Sequence, residues 1–93
     1  MKRALLRSNT FVRAAKSFIK RHPHCKDDLQ DTLLLLSEDA FNPKLKTHKL
    51  KGDLLGSWAC SVGYDLRIIF EFVDFENTEA ILLQTLGSHD EVY

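Results

Sequence analysis

Between Asp65 and Phe72 the chain alternates, and this run constrains the fold more than any other feature. Leu66, Ile68, Phe70 and Phe72 fall on one side, with Asp65, Arg67, Ile69 and Glu71 on the other. That is the two-residue period of a half-buried strand. The apolar side should sit on a core. The other side carries a guanidinium and a carboxylate two residues apart, Arg67 and Asp65, so both are expected to point the same way. An exposed cross-strand ion pair would account for them. A charged pair in mid-strand beside apolar Ile69 is nevertheless unusual for a plain solvent face.

The 93 residues suit one domain over 1–93, with a single core. No apolar run approaches the roughly 18–20 residues of a membrane span, and Met1–Arg7 is too briefly apolar for a secretory signal. Cys25 and Cys60 lie far apart, without a CxxC partner, which fits free thiols in a reducing cytoplasm. The formal net charge is zero but unevenly spread: residues 1–51 carry 12 Lys/Arg and 5 Asp/Glu, whereas residues 52–93 carry 1 and 8. Such polarity can meet an anionic partner on one side, or simply let two halves attract each other.

Taken in order, Ala4-Leu5-Leu6 reads as an edge strand or a loose arm. Asn9 or Thr10 is expected to cap a helix in which Phe11, Ala14, Ala15, Phe18 and Ile19 recur at helical spacing. Arg13, Lys16, Lys20 and Arg21 form its basic side, most simply a solvated face. Pro23 ends it. His22-Pro23-His24-Cys25 offers three ligand types in four residues, but a structural zinc needs two separated pairs, so the segment reads as an interhelical turn. A second helix follows from Lys26, antiparallel to the first, with Leu29, Leu33 and Leu36, and Thr32 and Ala40 at matching spacing, as its buried stripe, widened by Leu34 and Leu35. After Pro43 the pattern turns to strands. Lys44–Gly52 alternates and is basic, Trp58–Val62 places Trp58, Cys60 and Val62 together, and Gly63-Tyr64 turns into the central strand. Asp74–Thr78 is a hairpin loop, and Ala80–Leu86 is apolar enough for an interior strand. The expectation is an α+β fold, a helical hairpin on an antiparallel meander.

Strand parity then places Lys46 with His48 on one face, and His89 just beyond the strand that follows Arg67. Two histidines titrating near neutrality suit a base-and-acid pair beside an Asp/Arg pair and a basic strand.

His48-Lys49-Leu50-Lys51-Gly52, the Trp58 strand, Tyr64–Phe70 and Gly87-Ser88-His89-Asp90-Glu91-Val92-Tyr93, in this order and spacing, resemble the RelE/ParE toxin superfamily, closest to its YafQ-like mRNA interferases. The resemblance implies the RelE-like toxin fold and a cytoplasmic toxin of a type II toxin–antitoxin module. It implies ribosome-dependent cleavage of mRNA through the RNA's 2′-hydroxyl, without metal or other cofactor. Residue by residue, His48, Asp65 and His89 match catalytic positions, Arg67 suits the phosphate clamp, and Tyr93 matches a terminal aromatic able to stack on a base. Ser61 and Thr85 stand where the pattern has a histidine and an arginine, so the cations fall to Arg67, Lys46, Lys49 and Lys51. The implied partners are mRNA and the ribosome, a cognate antitoxin expected over Lys44–Lys51, and operator DNA only through the antitoxin complex. Two other functions share the scaffold: a non-nucleolytic, ParE-type gyrase inhibitor, and an inactive homologue acting through antitoxin binding.

Overall fold

Two helices lie across one face of a five-stranded sheet, and the reasons are visible strand by strand. The computed structural model describes residues 2–63 and 65–92, and for His89 and Glu91 the backbone alone. The strands are β1 (Ala4–Arg7), β2 (His48–Lys49), β3 (Trp58–Val62), β4 (Leu66–Phe75) and β5 (Thr78–Ser88); the helices are α1 (Asn9–Arg21), α2 (Lys26–Glu38) and a short α3 (His89–Val92). Their order in the sheet is β1-β5-β4-β3-β2.

β4 follows the alternation. Leu66, Ile68 and Phe70 are buried on the side that meets the helices, with Phe11, Leu29, Leu36, Cys60, Val62, Ile81 and Leu83 in the same core. β5 lies inside the sheet, as its apolar run requires, and extends through Gly87 and Ser88, which the sequence reading placed in the tail. Glu76 and Asn77 close the β4–β5 hairpin with φ of 52° and 65°, the left-handed pair that a two-residue hairpin turn needs. Between Ile69 and Phe70 the register slips, from Ile69 opposite Thr85 to Phe70 opposite Leu83, so Gln84 is the extra residue of a bulge.

β1 pairs in parallel with β5, Ala4 opposite Ala80. Its outer side is covered by the end of α2: the Arg3 N–H donates to the Ser37 carbonyl (2.8 Å), and the Ser37 hydroxyl donates to the Arg3 carbonyl (2.6 Å). An exposed strand edge is thereby blunted.

Four expectations need correction. Leu34, expected to widen the buried stripe of α2, is 51% exposed, and Ala40 is buried beyond the helix, which ends at Glu38. The cap of α1 is Ser8, not Asn9 or Thr10: its hydroxyl accepts from the Phe11 N–H at 3.0 Å. Ser8 is extended (ψ 159°), so β1 passes into α1 with no loop.

Lys44–Gly52 is not one strand. Pro43 presets a 3₁₀ turn over Pro43–Leu45, and the Asn42 side chain caps it by accepting from the Lys44 N–H at 2.9 Å. Leu45 turns into the core, and Lys46 is left-handed (φ 53°). Only His48 and Lys49 pair with β3, so Lys46 shares no strand face with His48.

Asp65 lies in the turn before β4, so strand parity does not align it with Arg67. Tyr64, expected in that turn, lies outside the described residues. Among the described residues no helix is long and apolar enough to cross a membrane.

Candidate functional site

The face of the sheet turned away from α1 and α2 carries the groups that can do chemistry. Residues directly opposite one another in a sheet share a face. His48 pairs with Ala59, Ala59 with Ile69, and Ile69 with Thr85, so these four form one row. The next row on that face is Ser61, Arg67 and Gly87. Strand spacing and rise put the His48 and Arg67 α-carbons roughly 12 Å apart. An imidazole and a guanidinium can approach one phosphodiester from two sides at that separation.

Apolar packing shapes this face rather than leaving it flat. Ala59, Ile69 and Leu50 are buried there, with Leu54 and Val92 packed against them. Val92 belongs to α3, so the C-terminal segment folds back across the face that bears Arg67.

His48 is held by its own loop. The Thr47 hydroxyl donates to the Ala40 carbonyl at 2.6 Å, fixing the segment to the end of α2. The His48 Nδ1 lies 2.9 Å from the Lys46 carbonyl. A carbonyl only accepts, so in that contact Nδ1 bears the proton and the neutral ring keeps its lone pair on Nε2. Left-handed Lys46 thus contributes its carbonyl, while its exposed side chain leaves the strand surface.

Arg67 is half-buried, with Nη1 3.3 Å from the Leu66 carbonyl. Gly87, opposite it in β5, presents no side chain. The Cys60 thiol is pushed up to about 12 by burial, and Arg67 pulls it part of the way back. Cys60 therefore stays a neutral thiol and a core residue.

Alternation also puts Glu71 on this face, although the sequence reading gave it no role. Ser57, buried, donates to Gln84 Oε1 at 2.8 Å, and Gln84 Nε2 donates to Glu71 Oε2 at 3.3 Å. The bulge at Gln84 makes this chain possible by turning an extra polar side chain to the face. The carboxylate that shares the surface with Arg67 is thus Glu71, visible in the same two-residue period that pointed to Asp65.

Asp65 instead lines a hollow of about 420 Å³ with Phe18, His22, His24, Cys25, Asp28 and Ser88 among its walls. His22 stands against Phe18 at 4.7 Å and against His24 at 5.9 Å, ring centre to ring centre. Among the described residues no group of three or more His, Cys, Asp or Glu is placed to hold a metal ion. Leu66 pairs with Ser88, and the next residues outward are Asp65 and His89. Each of the two thus adjoins the last pair of the β4–β5 ladder.

The remaining expected residues scatter. Lys49 points to the other side of the sheet edge, its ammonium 5.4 Å from the centre of the Trp58 ring. Lys51 is exposed at the start of the loop after β2. The His89 side chain and all of Tyr93 lie outside what is described.

A family model described as "Bacterial toxin of type II toxin-antitoxin system, YafQ" matches residues 3–93. Comparison with curated proteins returns no match. Among solved structures, YafQ from E. coli strain BL21(DE3) is 20% identical, with a TM-score of 0.80 and 99% of each chain covered. A metal-bound toxin from Helicobacter pylori is 27% identical, with a TM-score of 0.70 and 100% of both chains covered. The E. coli DinJ-YafQ toxin-antitoxin complex contains a chain 22% identical to this one, with a TM-score of 0.76, covering 100% of this chain and 99% of that one.

Proposed function

The chain belongs to the YafQ family of toxins from bacterial type II toxin–antitoxin systems, and on that footing we propose that it is a ribosome-dependent endoribonuclease. Residues 1–93 act as one toxin domain in the cytoplasm, cutting mRNA without a metal and held in check by a cognate antitoxin. Operator DNA is reached only through the antitoxin complex.

The RNA supplies its own nucleophile. A base takes the proton of the 2′-hydroxyl, its oxygen attacks the adjacent phosphorus, and the bond from phosphorus to the 5′-oxygen breaks. An acid returns a proton to that oxygen, leaving a 2′,3′-cyclic phosphate and a free 5′-hydroxyl. His48 is the base, through Nε2, because the Lys46 carbonyl holds the proton on Nδ1. His89 is the acid, and Asp65, its neighbour across the end of the hairpin, orients it. Arg67 neutralises the charge that builds on the phosphate oxygens. Lys46, Lys49 and Lys51 guide the RNA backbone to the β2 edge, and Tyr93 stacks on a base beside the cut.

The observation that carries this reading is that His48 and Arg67 rise from adjacent rows of one face, across which the C-terminal segment folds. Primer extension on messages from cells briefly expressing the chain tests it. Cuts at a fixed position within codons are expected. Intact messages accompanied by cleaved or supercoil-arrested DNA would assign the chain to gyrase inhibition instead.

A further inference from the structure

Three aromatic rings meet on the side of the sheet opposite His48 and Arg67, just past the end of α2. Phe41 stacks on Phe72, with ring centres 5.7 Å apart and planes 22° apart. Trp58 stands nearly perpendicular to both, at 5.5 Å from Phe41 and 5.3 Å from Phe72. Trp58 and Phe72 pack against the core, whereas Phe41 is 55% exposed. With Phe72 against one face of the Phe41 ring, the other face is left to solvent. The turn that carries this ring is braced. The Asn42 N–H donates to the Asp39 carbonyl at 3.1 Å, and the Asn42 amide donates to the Asp39 carboxylate at 3.3 Å. Ala40 is buried, and its carbonyl accepts from the Thr47 hydroxyl at 2.6 Å. An aromatic face is thus held open in a fixed place.

The charges against these rings are cations. The Lys49 ammonium lies 5.4 Å from the centre of the Trp58 ring, and the Arg3 guanidinium 5.3 Å from that of Phe72. Arg3 is also paired with Glu79 at 2.6 Å, so Lys49 is the stronger attraction for an anion. Lys44 and Lys46 follow Phe41 in the chain and are exposed. An open aromatic face among lysines is what holds single-stranded nucleic acid: the ring stacks on a base of any sequence, and the ammonium groups follow the phosphates. A peptide held by its apolar side chains would call for a recess rather than one side of a ring. The place of the rings suits the message in particular. β2 is the outermost strand, and its residues His48 and Lys49 point to opposite faces. RNA leaving His48 has only this one edge to cross before it meets Lys49 and the rings.

We propose that Phe41, backed by Phe72 and Trp58, stacks on an unpaired base of the message a few nucleotides from the cut, with Lys49 on a neighbouring phosphate. The platform rests on the nuclease reading and extends it: it adds affinity for the flanking strand without selecting a sequence and without touching the reacting atoms.

Trp58 is the only tryptophan in the chain, so its emission reports on the platform directly. The full chain is titrated with a short single-stranded RNA carrying 2′-methoxy groups throughout, which cannot be cut, and with the same backbone lacking its bases. Phe41→Ala should weaken binding of the first about 5- to 150-fold, the worth of one stacked base, and leave binding of the second almost unchanged. Phe41→Tyr keeps a ring and should bind like wild type, whereas Phe41→Leu keeps only apolar area and should bind as poorly as Phe41→Ala. The position is exposed, so thermal unfolding of all three should stay close to wild type. On translating ribosomes Phe41→Ala should raise KM for the message and leave kcat within about twofold. Wild-type Trp58 emission unmoved by the base-bearing RNA overturns the proposal. So does wild-type affinity in Phe41→Leu, which would mark an apolar contact with protein instead. Equal loss of Phe41→Ala binding to ribosomes without message also overturns it, since the contact would then be to ribosomal RNA. If the wild-type chain cuts no message yet binds the base-bearing RNA through Phe41, the nuclease reading fails and the platform stands.

Discussion

Replacing Arg67 by alanine should separate chemistry from folding more cleanly than any other single change. The side chain is half-buried near the start of β4, between Ser61 and Gly87, and its contact to the Leu66 carbonyl is a long 3.3 Å. Deleting it opens no core cavity, because the residues beneath it on the helix side belong to other strand positions. The expected cost to folding is within about 1 kcal/mol, or roughly 4–8 °C in Tm for a chain of this size. The cost to cleavage is larger. Removing one preorganised donor from a charge-developing site lowers rates about 10²–10³-fold, which is about 2.7–4 kcal/mol of barrier. Arg67→Lys restores charge without the planar two-pronged geometry, so it should recover only part of the loss. Single-turnover cleavage of a translated message, measured beside thermal unfolding, provides both numbers. A cleavage rate within twofold of wild type for Arg67→Ala would remove Arg67 from the site.

The other predictions concern single groups. His48→Ala should slow cleavage about 10²–10⁴-fold while leaving the circular dichroism spectrum unchanged, and an unaltered rate would exclude His48 as the base. Ser8→Ala removes the α1 cap and the hydrogen bond from the Ser8 hydroxyl to the Gln84 carbonyl (2.9 Å). It should lose about 1–2 kcal/mol in urea unfolding, whereas Asn9→Ala and Thr10→Ala stay within about 0.5; equal losses at all three would contradict Ser8 as the cap. Cys60, with its thiol pushed up from 9.0 to about 12, gives a stabilising contribution that is complete below pH 9 and is lost as pH rises from 9 towards 12. Iodoacetamide at pH 8 should therefore label Cys25 well before Cys60, and simultaneous labelling would show that Cys60 is not held as described.

What could be read from the sequence was what depends on local period. The alternation of β4 and the buried Leu29 and Leu36 of α2 follow from side chains repeating every two or every 3.6 residues, and the interior position of β5 from its almost continuous apolar run. Longer-range facts left no such trace. β1 has four residues, and nothing in them says that they pair in parallel with a strand more than seventy residues away. The basic run 44–51 alternates well enough to imitate a strand, but Asn42-Pro43 commits it to a turn, and that removed Lys46 from the face of His48. Asp65 was misplaced by one residue at a strand end, where parity stops applying. Glu71 stood in the same alternating run, but its importance to the site depends on the bulge at Gln84 and on Ser57 behind it. A register slip of that kind is decided by packing on both faces at once.

The most direct test of the central claim is the fate of a message whose 2′-hydroxyl is blocked at the cut. Two short mRNAs, identical except for a single 2′-methoxy group at the position mapped by primer extension, would be translated in a purified bacterial system with the chain added. The unmodified message should be cut at that position, leaving a 2′,3′-cyclic phosphate and a 5′-hydroxyl, and the methoxy message should survive there. Cleavage of both messages at the same rate would show that the 2′-hydroxyl is not the nucleophile, and the roles assigned to His48, Arg67 and His89 would fall with it.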